Sequence, residues 1–136
     1  MDNKIKIENL ENLLEEFPFS EVGTIDFLCA VKERFKENKI YRVNGEECLC
    51  LRSWGEIDGA QVFLRVEQIS YDNGKLVIKP KKKEYMVREW QDGEEEVRPD
   101  KGKVIIEIKN CKRLRFFDDL REAYTYAKSF AEYEWD

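Results

Sequence analysis

An Asn-Gly pair, Asn73-Gly74, constrains the fold of this chain most strongly. It lies between two runs of β-branched and aromatic residues, which together extend from Gln61 to Pro80. Asn and Gly tolerate the positive φ angles of a type I′ turn, whose twist matches that of paired strands. The sequence therefore predicts a β-hairpin in which Tyr71 stands opposite Leu76.

The apolar residues of this hairpin do not all fall on one face. Strict alternation places Tyr71 on the same face as Phe63, whereas Val62 and Leu64 lie on the other. One extra residue near Glu67-Gln68, a β-bulge, would reverse the parity and bring the apolar residues together. The alternative is a sheet that is covered on both faces.

Length and composition predict one domain, spanning residues 1–136. Apolar residues make up 42% of the chain, so we expect a folded core. The net charge of −5 argues against nucleic-acid binding through overall charge, although a local patch could still bind. The sequence has no apolar run long enough for a membrane span and no signal-peptide pattern, which predicts a cytoplasmic protein that does not bind membranes.

Histidine is absent from the sequence. Its absence removes the usual general base near neutral pH, the Ser-His and Cys-His nucleophile pairs and the commonest zinc ligand. The sequence therefore leans away from an enzyme but leaves the question open, and we expect no cofactor.

Apolar residues at helical spacing predict three helices. The first covers Glu8–Phe17 and the second runs from about Ile25 to Glu37, after which Asn38 can supply a left-handed residue. The third begins at Asp119, which with Glu122 has the spacing of a capping box. Six or seven strands lie between the second and third helices, so the sequence predicts an α+β fold. In it, two N-terminal helices precede a meandering antiparallel sheet, on which the C-terminal helix packs.

One segment resembles the signature of the PD-(D/E)xK nucleases: Pro99-Asp100 followed by Glu107-Ile108-Lys109. The resemblance implies that an Asp and Glu107 bind a divalent cation and that Lys109 assists a water nucleophile. If residues 100–107 are extended, however, Asp100 and Glu107 lie roughly 20 Å apart, too far to share a cation. Three other carboxylates could replace Asp100 if residues 94–98 pair with this strand: Asp92, Glu95 and Glu96.

Two groups of basic residues could form a patch that contacts a phosphate backbone. The members of the predicted patch are Lys79, Lys81, Lys82, Lys83, Lys112, Arg113 and Arg115, with Lys109 beside them. The alternative is an edge strand that Lys and Pro protect from aggregation.

The four cysteines are Cys29, Cys48, Cys50 and Cys111. Without a histidine, a structural zinc site would need all four of them. Free cysteines are more often small apolar core residues, so we predict no metal site.

Acidic and aromatic residues are grouped in two places. Glu56 and Asp58 lie in a glycine-flanked loop, and the tail contains Tyr133, Glu134 and Trp135. These five residues are the predicted binding residues for a partner. The alternatives are an ordinary turn and a helix end whose Trp135 packs back onto the sheet.

Together these features favour a non-catalytic protein-interaction domain, acting as an accessory, adaptor or inhibitor through acidic and aromatic surface, with another protein as its partner. The first alternative is a protein that acts on nucleic acid, either as a metal-dependent nuclease around Glu107 and Lys109 or as a binder that uses the Lys79–Lys83 run. The second is a small-ligand binder with a pocket between the sheet and the C-terminal helix, lined by Tyr124, Phe116 and Trp90. The sequence leaves the oligomeric state open.

Overall fold

The computed structural model describes residues 21–35, 37–55, 59–72, 75–89 and 91–132. Within these ranges one helix precedes seven strands and another helix follows them. The α+β class, the mostly antiparallel sheet and the C-terminal helix agree with the sequence prediction. The described part contains one N-terminal helix instead of the predicted two, because the predicted helix Glu8–Phe17 lies outside the described residues.

The helices are α1 (Glu21–Phe35) and α2 (Leu120–Glu132). The strands are β1 (Lys39–Val43), β2 (Glu46–Trp54), β3 (Ala60–Asp72), β4 (Lys75–Glu89), β5 (Glu94–Asp100), β6 (Lys103–Lys109) and β7 (Arg115–Phe117).

Two residues near the helix ends have the conformation or contact that the sequence predicted. Helix α1 extends further toward the amino terminus than predicted, and Asn38 behind it has the expected left-handed conformation, with a φ of 54°. At the start of α2, the Asp119 carboxylate accepts the backbone N–H of Arg121 at 2.8 Å. The predicted N-cap of the last helix is thus confirmed.

The central hairpin has the predicted register. Tyr71 stands opposite Leu76, and the pairing continues without a shift to Gln68 and Lys79. The next pair joins Val66 to Pro80, so one residue of β3, Glu67, is extra. This is the predicted bulge.

The structure contains the predicted bulge and also the predicted alternative to it, a sheet that is covered on both faces. Val62, Leu64 and Val66 pack toward the helices, as the bulge requires. Phe63 points to the opposite side and is nevertheless fully buried. The sheet is therefore covered on both faces at this point.

The strand order is β5-β6-β1-β2-β3-β4-β7. Strands β1 to β4 form the predicted meander, but β6 lies beside β1 and runs parallel to it, with Ile40 opposite Ile105 and Val43 opposite Ile108. The prediction of a purely meandering antiparallel sheet is therefore wrong. The β5–β6 hairpin crosses to the far side of β1 instead of continuing from β4.

The sheet curls strongly. In a flat sheet β4 and β5 would lie about 24 Å apart, since five strand spacings of roughly 4.8 Å separate them. The chain passes from Glu89 to Glu94 in five residue steps, which span at most about 19 Å. Arg88 of β4 accordingly reaches Glu95 of β5, with Nη1 and Oε2 3.5 Å apart.

Curling gives the sheet a helix face and an inner face. The helix face packs against α1 and α2 through Phe27, Val31, Leu49, Leu64, Val87, Leu120 and Ala127. On the inner face, opposite parts of the curled sheet pack together through Val43, Cys48, Phe63, Met86, Ile106, Ile108 and Cys111.

One buried carboxylate joins the two crossing connections. Asp92, between β4 and β5, accepts the backbone N–H groups of Lys112 at 3.1 Å and Arg113 at 2.9 Å, in the connection between β6 and β7. Next to it, Gly93 has a φ of 88° and lies against the same connection. Asp92 thereby holds the β5–β6 hairpin against the end of β4.

Candidate interaction surface at the β5 edge

Strand β5 forms one edge of the sheet. A two-residue turn, Lys101-Gly102, connects it to β6, and both turn residues have positive φ angles of 49° and 79°. Among the described strands β5 pairs only with β6, over its whole length from Glu94 to Asp100. On its other side no strand of the described residues pairs with it.

The hydrogen bonds of β6 determine which backbone groups of β5 face that side. The N–H of Val104 donates to the carbonyl of Asn38 at 2.8 Å, and the carbonyl of Ile108 accepts the N–H of Asn44 at 2.8 Å. Both β6 residues therefore direct their backbone groups toward β1 and away from β5.

The β5 residues opposite these two are Pro99 and Glu95. Antiparallel pairs that exchange no hydrogen bonds point their backbone groups away from each other, so both residues face the open edge. Val97 lies midway between them and has the same orientation, because direction repeats every second residue. Pro99 fits here because its missing N–H would not have bonded to β6.

The side chains of β5 divide between the two faces of the sheet. Val97 stands opposite Ile106, a member of the inner cluster, and is 61% exposed. Three carboxylates, those of Glu94, Glu95 and Glu96, precede it and are all exposed. The edge thus presents an apolar side chain among acidic ones.

On the outer side of the hairpin, Glu96 stands directly opposite Glu107. The Glu107 carboxylate is 3.3 Å from Arg98 and 3.6 Å from Lys109, and its side chain is only 13% exposed. Two cations therefore neutralise Glu107, whereas the Glu96 side chain projects into solvent.

A buried polar network supports the surface from the inside. Arg88, which is 3% exposed, donates to the Gln61 side chain at 2.7 Å and to the Asp92 carbonyl at 2.8 Å. Gln61 in turn donates to the Ser53 hydroxyl at 3.2 Å. Because Arg88 also pairs with Glu95, the inner side of β5 is held in place by a fixed cation.

A second buried arginine lies further along the inner face. Arg65 forms ion pairs with Glu46 and Glu84, while its Nε is buried without a hydrogen-bond partner in the described part. Both carboxylates come from neighbouring strands, so this group connects β2, β3 and β4.

The buried and half-buried thiols and phenols of the inner face are unsuited to nucleophilic chemistry. Burial raises the pKa of Cys50 from 9.0 to about 12, although a hydrogen bond with Ser53 opposes the shift. Burial also raises the pKa values of Cys48 and Tyr41. These groups are protonated near neutral pH, and a protonated thiol is a poor nucleophile and metal ligand.

The structure does not assemble the residues of the nuclease resemblance into a metal site. Strand β5 does pair with β6 and brings Glu96 opposite Glu107, while Asp100 stands opposite Lys103. The described ranges contain no group of three or more Cys, Asp or Glu side chains that could hold a cation. Lys109 and Arg98 form ion pairs with the Glu107 carboxylate instead.

The four cysteines lie on different parts of the fold. Cys48, Cys50 and Cys111 belong to the inner face, whereas Cys29 is exposed on α1. All four thiols are free.

The two basic groups are separated along β4. The backbone of Lys79–Lys83 lies in the hairpin, and Arg115 pairs eight residues beyond Lys79, opposite Val87. Measured along an extended strand, the run therefore lies between about 13 Å (Lys83) and about 26 Å (Lys79) from Val87. Lys112 is exposed, Arg113 pairs with Glu89 at 3.2 Å, and Arg115 lies over the ring of Tyr126.

The predicted ligand-pocket residues lie on opposite faces of the sheet. Tyr124 is on the helix face, where its hydroxyl donates to Asp26 at 2.8 Å and its ring contacts Trp54. Phe116 stands opposite Met86 on the inner side and is 54% exposed. Tyr124 and Phe116 therefore do not line one pocket.

Several predicted residues lie outside the described ranges: Glu56, Asp58, Trp90, Tyr133, Glu134 and Trp135. The β5 edge was not among the predicted sites, because the sequence left open whether residues 94–98 pair with the next strand. The signal that points to it is Pro99, since proline inside a strand marks an edge.

Neither helix in the described ranges is long and apolar enough to cross a membrane. Comparison of the chain with models of known protein families, with curated proteins and with solved structures finds no match. The chemistry of its own surface is therefore the basis for a functional proposal.

Proposed function

We propose that this chain is a non-catalytic protein-interaction domain that binds another protein through its acidic, partly apolar surface. One observation carries the proposal: within the described ranges β5 is an edge strand that pairs only with β6, and on it Val97 is 61% exposed beside Glu94, Glu95 and Glu96. Four carboxylates and one arginine leave the strand with a net charge of −3. Such an edge favours a basic partner.

The chemistry of the inner face supports a binding role over a catalytic one. Its ionisable groups are engaged in ion pairs, as Arg65 and Arg88 are, or hold their protons through burial, as Cys50 does. An interaction domain needs a rigid support behind its surface, and the Arg88 network supplies one behind Glu95.

Affinity capture from the protein's own cells, with two charge-reversal variants, tests this function. The first variant carries Glu94→Lys and Glu96→Lys on β5. The matched control carries Glu37→Lys and Asp118→Lys, two exposed acidic residues outside β5. We expect the wild type and the control to retain the same partner and the β5 variant to lose it. Equal recovery by all three proteins, or no partner for the wild type, would contradict the proposal.

A further inference from the structure

We propose that β5 binds its partner by strand addition, and that the incoming strand alternates basic and apolar side chains. This inference rests on the proposed interaction function and specifies the mode of binding and the chemistry of the partner. Strand addition uses main-chain hydrogen bonds for affinity and alternate side chains for specificity.

The backbone of β5 already has the required orientation. Glu95 and Val97 each direct an N–H and a carbonyl toward the open edge, as the Val104 and Ile108 hydrogen bonds of β6 imply. Pro99 directs only a carbonyl there. An incoming strand can therefore form a regular ladder with Glu95 and Val97, and Pro99 limits the ladder at one end and helps to set its register.

The apolar positions of the partner follow from Val97. Residues directly opposite each other on paired strands share a face. An incoming side chain opposite Val97 therefore lies beside Val97, on the same inner face as Ile106 and the half-buried Val104 of β6. An aliphatic side chain there would cover Val97 and extend the inner cluster.

The basic positions follow from the outer side. Glu94 and Glu96 project there and are exposed, whereas Arg98 is engaged with Glu107 at 3.3 Å. Lysine or arginine opposite the two glutamates would complement their charge, because cross-strand pairs of opposite charge are stabilising.

The same charges disfavour a second copy of this chain as the occupant. Pairing of two β5 edges would bring together two strands that each have a net charge of −3. Like charges directly opposite each other destabilise a sheet. The acidic edge thus selects a basic strand and prevents self-association.

The test uses a fluorescent peptide of seven residues, the length of β5, that alternates lysine and valine. Two derivatives carry N-methyl groups on alternate amides, one on the valine amides and the other on the lysine amides. Only one set of amides can face β5. Fluorescence anisotropy should therefore show one derivative binding like the parent peptide and the other losing most of its affinity. Equal affinity of both derivatives would overturn strand addition.

Two protein variants complete the test. Val97→Pro removes an N–H that faces the edge but takes no part in the β5–β6 ladder, whereas Val97→Thr keeps it. We expect Val97→Pro to bind the parent peptide about two- to tenfold more weakly than Val97→Thr, the value of one hydrogen bond. A second outcome separates the two proposals. If the Glu94→Lys, Glu96→Lys variant loses binding but neither Val97→Pro nor N-methylation weakens it, strand addition is overturned and the interaction function still stands. Failure of the parent peptide to bind would overturn the proposed partner chemistry, while partner capture separately decides the interaction function.

Discussion

Pro99 of β5 and Val104 of β6 stand opposite each other in a pair that exchanges no backbone hydrogen bond. The Val104 N–H donates instead to Asn38, which precedes β1, at 2.8 Å. Because of this orientation a proline fits into a regular strand without removing a ladder bond. The same orientation exposes the backbone of Glu95 and Val97, so the feature that tolerates Pro99 also creates the open edge.

Alanine substitutions at Gly93 and Gly102 measure how much stability is lost when a side chain is forced into the close packing at the β4–β5 connection. Both have positive φ angles, 88° and 79°, so alanine at either position meets a similar backbone penalty of about 1–2 kcal/mol. A Cβ at Gly93 would lie 2.6 Å from the Lys109 carbonyl oxygen, whereas one at Gly102 meets nothing within 4 Å. We expect Gly93→Ala to lower the free energy of unfolding by a further ~1–3 kcal/mol, as overpacking does. Urea denaturation of both variants measures the difference, and equal losses would contradict the packing described for Gly93.

Asp92 should contribute to stability through its two charge-assisted hydrogen bonds. Asp92→Ala leaves the N–H groups of Lys112 and Arg113 without their acceptor and should lower the free energy of unfolding by about 2–4 kcal/mol. Asp100→Ala is the matched control, since this exposed carboxylate lies at the β5–β6 turn and should cost under about 0.5 kcal/mol. If the two variants unfold at the same urea concentration, Asp92 does not join the two connections.

Arg88 should be far more important for stability than Arg98. Arg88→Met leaves Gln61 and the Asp92 carbonyl without their buried donor, which should cost about 2–5 kcal/mol. Arg98→Met removes only a partly exposed ion pair and should cost at most about 1 kcal/mol. Thermal unfolding of both variants measures the two losses in stability. If Arg88→Met is as stable as Arg98→Met, the network does not support β5.

Alkaline pH should destabilise the protein through its buried thiols and phenols. Burial raises the pKa of Cys50 from 9.0 and that of Tyr85 from 10.0, each to about 12 in the folded state. The unfolded chain therefore loses these protons first, so the stabilisation is complete below about pH 9 and is lost as the pH rises toward 12. Urea midpoints should fall between about pH 9 and pH 12, and Cys50→Ala should make that fall shallower. A midpoint that stays constant over this range would contradict the burial of these groups.

The parts of the fold that were predictable are those with local signals. The Asn-Gly pair in the sequence predicted the hairpin register, because a two-residue turn leaves one way to pair its strands, and Asp72 does stand opposite Lys75. The mismatch between Phe63 and Val62 pointed to the bulge at Glu67, because parity reverses at an extra residue. Asp119 began the last helix through a hydrogen bond to Arg121, two residues further on, and Asn38 has the left-handed conformation that its residue type favours.

The parallel contact between β1 and β6 was not predictable, since Val43 and Ile108 are far apart in sequence and either could have faced another strand. Asp92 likewise read as an ordinary turn residue, because its partners Lys112 and Arg113 come close only when the sheet curls. Arg88 lies in a strand with no local sign that its charge will be buried. Long-range packing determined all three, and with them the position of β5 at an edge.

The most direct test of the β5 edge is amide hydrogen exchange followed by NMR, first on the free protein and then with the lysine–valine peptide. In the free protein the amides of Glu96 and Arg98 should exchange slowly, because they bond to β6, while those of Glu95 and Val97 should exchange quickly. Added peptide should slow Glu95 and Val97 and leave Glu96 and Arg98 unchanged. Slow exchange at Glu95 and Val97 in the free protein, or no slowing when the peptide binds, would contradict the account.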